Sequence, residues 1–383
     1  MELEKIKSTI AVHSKYHALR LAEGLNNENF LDKVYTTYPK FKLTSYKVPS
    51  SKIKSFWFLG AVKYINSHYG NLFSDNFITS FFDNWVSAIL KKPGDKWVFT
   101  GYSGFCEKSL KKAKKMGAVT LVERACPHID EQEELIRQEK SLLLNKKIDI
   151  TSNEVYERMK REYDLADFIS VPSEYTKKSF IKRGISPSKI IKVPLCNEKD
   201  VPFRKIPVKY PEVFTVFCVS GNFYRKGLIY LLRAWKELGL QNAKLIVKGE
   251  IPNEFIEYKK IPNLEIISHH ISDDDLIKLY EKSSICILPS IDDGFGMVVI
   301  EAMRAALPVI VTQNVGASEV LEDGKEGFII PIRDTEALKE KILYFYNHPD
   351  KVNSMGLNAL EKAKQYTPEE YAKRMIVEYN KLF

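Results

Sequence analysis

VFTVFCVSGNFYRKGLIYLLRAWKEL, residues 213–238, holds the unit from which the fold can be read. Its first eight residues are almost continuously apolar, the pattern of a strand covered on both faces. A polar loop punctuated by Gly221 and Gly227 follows, and LIYLLRAWKEL then carries an apolar stripe at helical spacing. The same sequence of strand, short loop and helix recurs downstream. AKLIVKG (243–249), LEIIS (264–268), SICILPS (284–290), PVIVT (308–312) and EGFIIPI (326–332) read as further buried strands, and SDDDLIKLYEK and VVIEAMRAA are among the amphipathic segments between them. Repetition of this kind predicts a parallel, doubly wound α/β sheet with right-handed crossovers.

Working back toward residue 1, TIAVH, DKVYTTY, KWVFTGYSG, AVTLVER and DFISVPS repeat the alternation less regularly. Two Rossmann-like domains in tandem are therefore expected. The boundary falls near CNEKDVPFRKIPVKYPE (196–212), where three prolines and seven charges interrupt the periodicity. This gives an N-terminal domain over 1–200 and a C-terminal domain over 201–365. The last segment, 366–383, has a Thr cap, a Pro at the first helical position and an apolar stripe through Tyr371, Met375 and Tyr379, so it needs a partner surface.

Composition agrees with a large folded chain. At 383 residues, 44% hydrophobic and 28% charged, the sequence exceeds what one core usually organises and excludes both a small stapled module and a disordered chain. The formal charge of +9 is unevenly placed. Residues 1–200 hold 34 Lys and Arg against 24 Asp and Glu, whereas 201–383 hold 24 against 25, so the basic excess belongs to the first half. One domain facing a polyanion would account for this. The five cysteines are scattered, with no C-x-x-C pair, which supports neither a disulfide frame nor a zinc site. No apolar stretch is long enough to span a bilayer and no secretory signal is visible, so the expected location is cytoplasmic, or peripheral on the inner face of the membrane.

In open α/β sheets ligands sit beyond the carboxyl ends of the strands, which directs attention to the strand-to-helix loops. In SGNFYRKG (220–227), Arg225 and Lys226 stand at the start of a helix, where the macrodipole disfavours cations by about 0.3–1 kcal/mol each unless an anion is present. A bound phosphate would reverse that sign; solvated side chains are the alternative. In LPSIDDGFGMVVIEAMRAALP (288–308), Gly294 and Gly296 bracket Phe295 just before a helix, allowing backbone amides to approach an anion closely. Glu301 lies in that otherwise apolar helix, eight positions after Asp293. It either pairs with Arg304 one turn on or, being buried, receives the vicinal diol of a sugar. His128, after the strand AVTLVER, reads on sequence alone as a helix cap or core residue. His13, Lys15 and His17 in the first loop are weak candidates for acceptor contacts. No pair of His or Cys has metal-ligand spacing, and no Walker loop occurs.

Together SGNFYRKGLIYLLRAW, SDDDLIKLYEKSSICILPSIDDGFGMVVIEAM and PVIVTQNVGASEVLEDGKEGFIIP resemble the retaining glycosyltransferases of family 4 over residues 213–365; EYDLADFISVPSEYTKKSFIKRG extends the likeness into the first half. The resemblance implies the GT-B fold, two Rossmann-like doubly wound parallel-sheet domains facing a central cleft. It implies that Arg225 and Lys226, with Gly221 in their loop, neutralise a donor diphosphate. Gly294, Phe295 and Gly296 would turn amides toward donor phosphate or sugar, Glu301 would bind ribose hydroxyls, and His128 would stand against the donor sugar. Asp293 occupies the position of the first of two paired acids, where the family normally has Glu, so its reach is one methylene shorter. The first strand-to-helix loop lacks the family's frequent glycine pair, so no phosphate contact is transferred there.

The expected activity is retaining, metal-independent transfer of a hexosyl unit from a nucleotide-diphosphate sugar to a glycan or lipid-linked acceptor, in cell-surface polysaccharide or glycolipid biosynthesis. No cofactor is expected beyond the nucleotide sugar as co-substrate. Lysines interleaved with aromatics in SKIKSFWFLGAVKYINSHYG, FFDNWVSAILKKPGDKW and KSLKKAKK suit an anionic membrane surface, with a solvated lysine-rich face as the alternative. A non-hydrolysing nucleotide-sugar epimerase of the same fold, a non-catalytic relative and a basic nucleic-acid-binding protein are the competing functions; for the last, no recognised RNA-binding signature is present, and no nucleic acid is expected.

Overall fold

The computed structural model describes residues 6–14, 17–62, 73–148, 153–197, 201–208 and 210–383. Two parallel sheets organise them. Strands β1 (Lys7–Val12), β2 (Leu31–Thr36), β3 (Ile53–Ser55), β4 (Trp97–Tyr102), β5 (Val119–Glu123), β6 (Phe168–Val171) and β7 (Ile190–Lys192) form a seven-stranded sheet in the order β3-β2-β1-β4-β5-β6-β7. Strands β8 (Phe214–Ser220), β9 (Ala243–Gly249), β10 (Leu264–Ile267), β11 (Ile285–Leu288), β12 (Val309–Thr312) and β13 (Gly327–Ile330) form a six-stranded sheet in the order β10-β9-β8-β11-β12-β13. Every pairing between these strands is parallel, as helices on both faces require. The expected pair of doubly wound sheets is the observed fold.

Strands β4, β11 and β12 are buried along their whole length, as their largely apolar sequences imply. The two strands the sequence did not announce are β3 and β7. Each has three residues and lies at a sheet edge, too short for a periodic signal to accumulate. In each sheet the strand order reverses beside the first strand, between β1 and β4 and between β8 and β11. Loops leaving the carboxyl ends at such a reversal diverge and leave a crevice.

The helix Pro368–Asn380 begins with Thr367 accepting a hydrogen bond from the Glu370 amide at 3.3 Å. Although it follows the second sheet in sequence, it buries Tyr371, Ala372, Met375 and Tyr379 against the helix Ala18–Asn27 of the first. Gly24 makes that approach possible, because a Cβ there would lie 2.4 Å from the Ala372 Cβ. The Tyr379 hydroxyl reaches Ser8 on β1 and Thr100 on β4, at 3.4 and 3.3 Å. Among the described residues, no helix is long and apolar enough to cross a membrane.

Candidate functional site

A cleft of about 590 Å³ opens where the two sheets' carboxyl ends face each other. From the seven-stranded side it is lined by His17, Tyr102, Glu123, Arg124 and Cys126, and from the six-stranded side by Arg225, Lys226, Asp293, Phe295, Gly296 and Glu301, among others. Five of the sequence-derived donor residues thus come together with Asp293 and with His17.

The loop after β8 is itself helical in hydrogen bonding. The Lys226 amide donates to the Asn222 carbonyl, the Gly227 amide to Tyr224, and the Asn222 side chain accepts from the Arg225 amide. Gly227, in the left-handed region at φ 59°, then starts the helix Leu228–Leu238. The two cations are not left facing the macrodipole alone. Lys226 forms an ion pair and hydrogen bond with Asp293, and the Arg225 Nη1 lies 3.6 Å from the Asp292 carboxylate. Burial pushes the Asp293 carboxyl up, but Lys226, Arg225 and the Phe295 amide outweigh it and hold the group below the usual carboxylate range. The anion anticipated at this helix end is therefore present within the fold as two neighbouring aspartates.

The loop after β11 is held against the first domain. The Gly294 carbonyl accepts hydrogen bonds from Ser173 Oγ at 2.7 Å and Thr176 Oγ1 at 3.0 Å, and a Cβ on Gly294 would sit 2.0 Å from the Ala125 carbonyl oxygen. Only glycine allows backbone to meet backbone so closely. Gly296 is required for a different reason, its φ of 85°, from which the helix Met297–Arg304 departs. Glu301 in that helix is buried and accepts the Tyr280 hydroxyl at 3.0 Å. Arg304 donates through Nε to the Val201 carbonyl and stacks its guanidinium 3.9 Å from the Phe203 ring, fastening the interdomain segment.

Other sequence candidates lie elsewhere. His128 caps the helix Ile129–Leu144, its Nδ1 accepting from the Asp130 amide at 3.2 Å, and its ring packs on Tyr163 and Phe180. Burial lowers its pKa to about 4, so the imidazole is neutral at physiological pH. The cap reading describes what His128 does here, and it is not among the side chains that line the cleft. His13 is enclosed by Phe82 and Phe105, and Gly221 and Gly294 also lie outside the lining. Lys15 lies outside the described residues. All five cysteines are free thiols, Cys126 being partly exposed in the cleft. Among the described residues no cluster of His, Cys, Asp or Glu could hold a metal ion.

Sequence reasoning passed over two acids. Glu123, at the end of β5, pairs its Oε1 with His17 Nε2 at 3.1 Å on the first domain's side of the cleft. Asp292 is fully buried. It accepts Gln132 Nε2 at 2.8 Å and the Tyr175 hydroxyl at 2.9 Å, both from the first domain. Two acids following one strand, opposite two cations following its neighbour, was the available signal for Asp292.

This architecture is that of the GT-B glycosyltransferases. Staphylococcus aureus TarM aligns over 99% of each chain with a TM-score of 0.71 at 12% identity. Anabaena Alr3699/HepE, solved in complex with UDP-glucose, aligns over 99% of this chain and 100% of its own with a TM-score of 0.67 at 14% identity. At such identities the likeness concerns the fold. Residues 202–362 match the family model of glycosyl transferases group 1. The capsular polysaccharide biosynthesis glycosyltransferase CapM of Staphylococcus aureus is 30% identical over 42% of this chain and 45% of its own length. The chain spans less than half the length of the curated relatives it matches.

Proposed function

We propose that the protein is a retaining, metal-independent hexosyltransferase of family 4 that uses a nucleotide-diphosphate sugar to extend a glycan or lipid-linked acceptor in polysaccharide or glycolipid biosynthesis. The observation that carries this reading is the convergence of Arg225 and Lys226, from one loop, and Glu301, from the helix Met297–Arg304, on one interdomain cleft within the stretch that matches the group 1 family model. Cleaving the bond from the anomeric carbon to the phosphate oxygen leaves the diphosphate with added negative charge. Arg225 and Lys226 are placed to stabilise that charge, and Glu301 offers a carboxylate to ribose hydroxyls. In front-face substitution the acceptor hydroxyl bonds to the anomeric carbon on the side the phosphate leaves, and its proton passes to the departing phosphate oxygen. The reaction is thereby balanced without an enzyme nucleophile, and configuration is retained.

The acceptor enters from the basic first domain in this reading. Trp57, Phe58 and Phe81 are exposed on that domain, in two of the lysine-rich segments singled out above, and exposed Phe77 lies one helical turn before Phe81; residues 63–70 of the first segment lie outside the described residues. Exposed aromatics with lysines suit attachment to anionic lipid. Co-sedimentation with anionic but not neutral vesicles is expected, and no pelleting at low salt would leave a free acceptor. For the reaction itself, a thermal-shift screen across nucleotide sugars should single out one donor, because a ligand bound only by the folded state raises the melting temperature. Anomeric analysis of the product by NMR then decides stereochemistry, and an inverted product would overturn the front-face mechanism.

A further inference from the structure

Asp292 is joined to both domains at once. Its Oδ1 accepts the Tyr175 hydroxyl at 2.9 Å, and its Oδ2 accepts Gln132 Nε2 at 2.8 Å while lying 3.6 Å from Arg225 Nη1. Gln132 is fixed in turn by Arg124, whose Nη2 donates to the Gln132 Oε1 at 2.8 Å. The backbone reinforces the link, since the amides of Ile291 and Asp292 both donate to the Arg225 carbonyl, at 2.9 and 3.2 Å. Asp292 has no exposed surface and Gln132 very little. A carboxylate so enclosed must be fully supplied with donors, and here the two neutral donors come from the domain opposite.

We propose that Asp292, held by Gln132 and Tyr175 of the first domain, is the positioning residue that aims Arg225 at the donor diphosphate, so that donor affinity is set partly across the domain interface. Arg225 is the cleft-lining member of the set; Asp292, Gln132 and Tyr175 act through it. Burial and the charge of Asp292 raise the Tyr175 pKa far above its ordinary value, which keeps the hydroxyl a donor. Removing that donor leaves Asp292 to find another, and the buried guanidinium Nη1, 3.6 Å from its carboxylate, is the nearest cation. Arg225 then swings from the cleft toward the acid.

The inference rests on the proposed binding of a donor diphosphate by Arg225, and the test separates the two. UDP, GDP, ADP, CDP and dTDP are screened by thermal shift, and the tightest ligand is measured by calorimetry on the full chain. Arg225→Ala should weaken it, and unchanged affinity, or no ligand in the screen, overturns the donor reading itself. Tyr175→Phe and Gln132→Leu should each weaken it by about tenfold, a size common within one hydrogen-bond network. In the Arg225→Ala background the same substitutions should cost less than about twofold, whereas a general loosening of the fold would add in full. If Arg225→Ala weakens binding while Tyr175→Phe does not, or if the losses simply add, the positioning role is overturned and the donor reading stands. Tyr175→Phe deletes one oxygen, so it keeps the test decisive should Gln132→Leu fail to fold.

Discussion

Two pairs face each other across the cleft, Lys226 with Asp293 on the six-stranded side and His17 with Glu123 on the seven-stranded side. Both join a nitrogen base to a carboxylate at strand ends, and all four groups are nearly buried. They differ in chemistry. On the six-stranded side the two form an ion pair, and Lys226 helps hold the Asp293 carboxyl below its ordinary range against the upward push of burial. On the other side the role of the His17 nitrogen depends on its tautomer, which suits hydrogen bonding to a neutral hydroxyl. In the proposed reading, donor phosphate would meet the first wall and the acceptor hydroxyl the second.

The strongest way to break that assignment is Lys226→Ala. It removes the cation from the leaving group and strands Asp293, and transfer should fall by about a hundredfold or more, as for loss of other preorganised charge contacts. Initial rates with the identified donor check it, and near wild-type turnover would remove Lys226 from the reaction. Next comes Glu301→Gln, expected to weaken nucleotide binding by about tenfold, the scale of one hydrogen bond to a charged group. Calorimetry reads this directly, and the effect should vanish for pyrophosphate, which has no ribose. A smaller effect is expected from His17→Ala on the opposite wall. Acceptor KM should rise severalfold, on the order of one ordinary hydrogen bond, while nucleotide affinity stays as it was; a drop in nucleotide affinity instead would blur the division between the walls.

The mildest prediction concerns His128, which belongs to neither wall. Its folded pKa is lowered from 6.5 to about 4, so the unfolded chain binds more protons between those values. Its contribution to stability is present above pH 6.5 and is lost as pH falls toward 4. His128→Asn keeps a capping side chain without the titration. The melting temperature of this variant should decline less than that of wild type between pH 6.5 and 4, and identical slopes would contradict the buried, neutral state.

The contrast between the walls also explains what could be read in advance. Lys226, Asp293 and Glu301 belong to short loops and one helix whose own residue spacing is unusual, and β8 to β13 announce themselves by apolar runs. His17 and Glu123 are 106 positions apart, one at a helix start and the other at a strand end, and neither alone carries a distinctive spacing. Gln132 and Tyr175 sit on helices rich in charged residues, where a polar side chain reads as solvated until the opposite domain is in place. His128 illustrates the reverse. The family likeness pointed it at a sugar, while the plainer reading as a cap matches its contacts with the Asp130 amide, Tyr163 and Phe180.

The helix Pro368–Asn380 has a consequence in time. A ribosome releases the residues of the seven-stranded sheet first, yet the hydroxyls of Ser8 and Thr100 meet the Tyr379 hydroxyl, and the helix Ala18–Asn27 finds its covering face, only after the second sheet has been synthesised. The domain made first is the one finished last. A nascent chain halted anywhere before residue 368 therefore exposes an apolar helix face that the completed protein conceals, and in the meantime that face is open to chaperones.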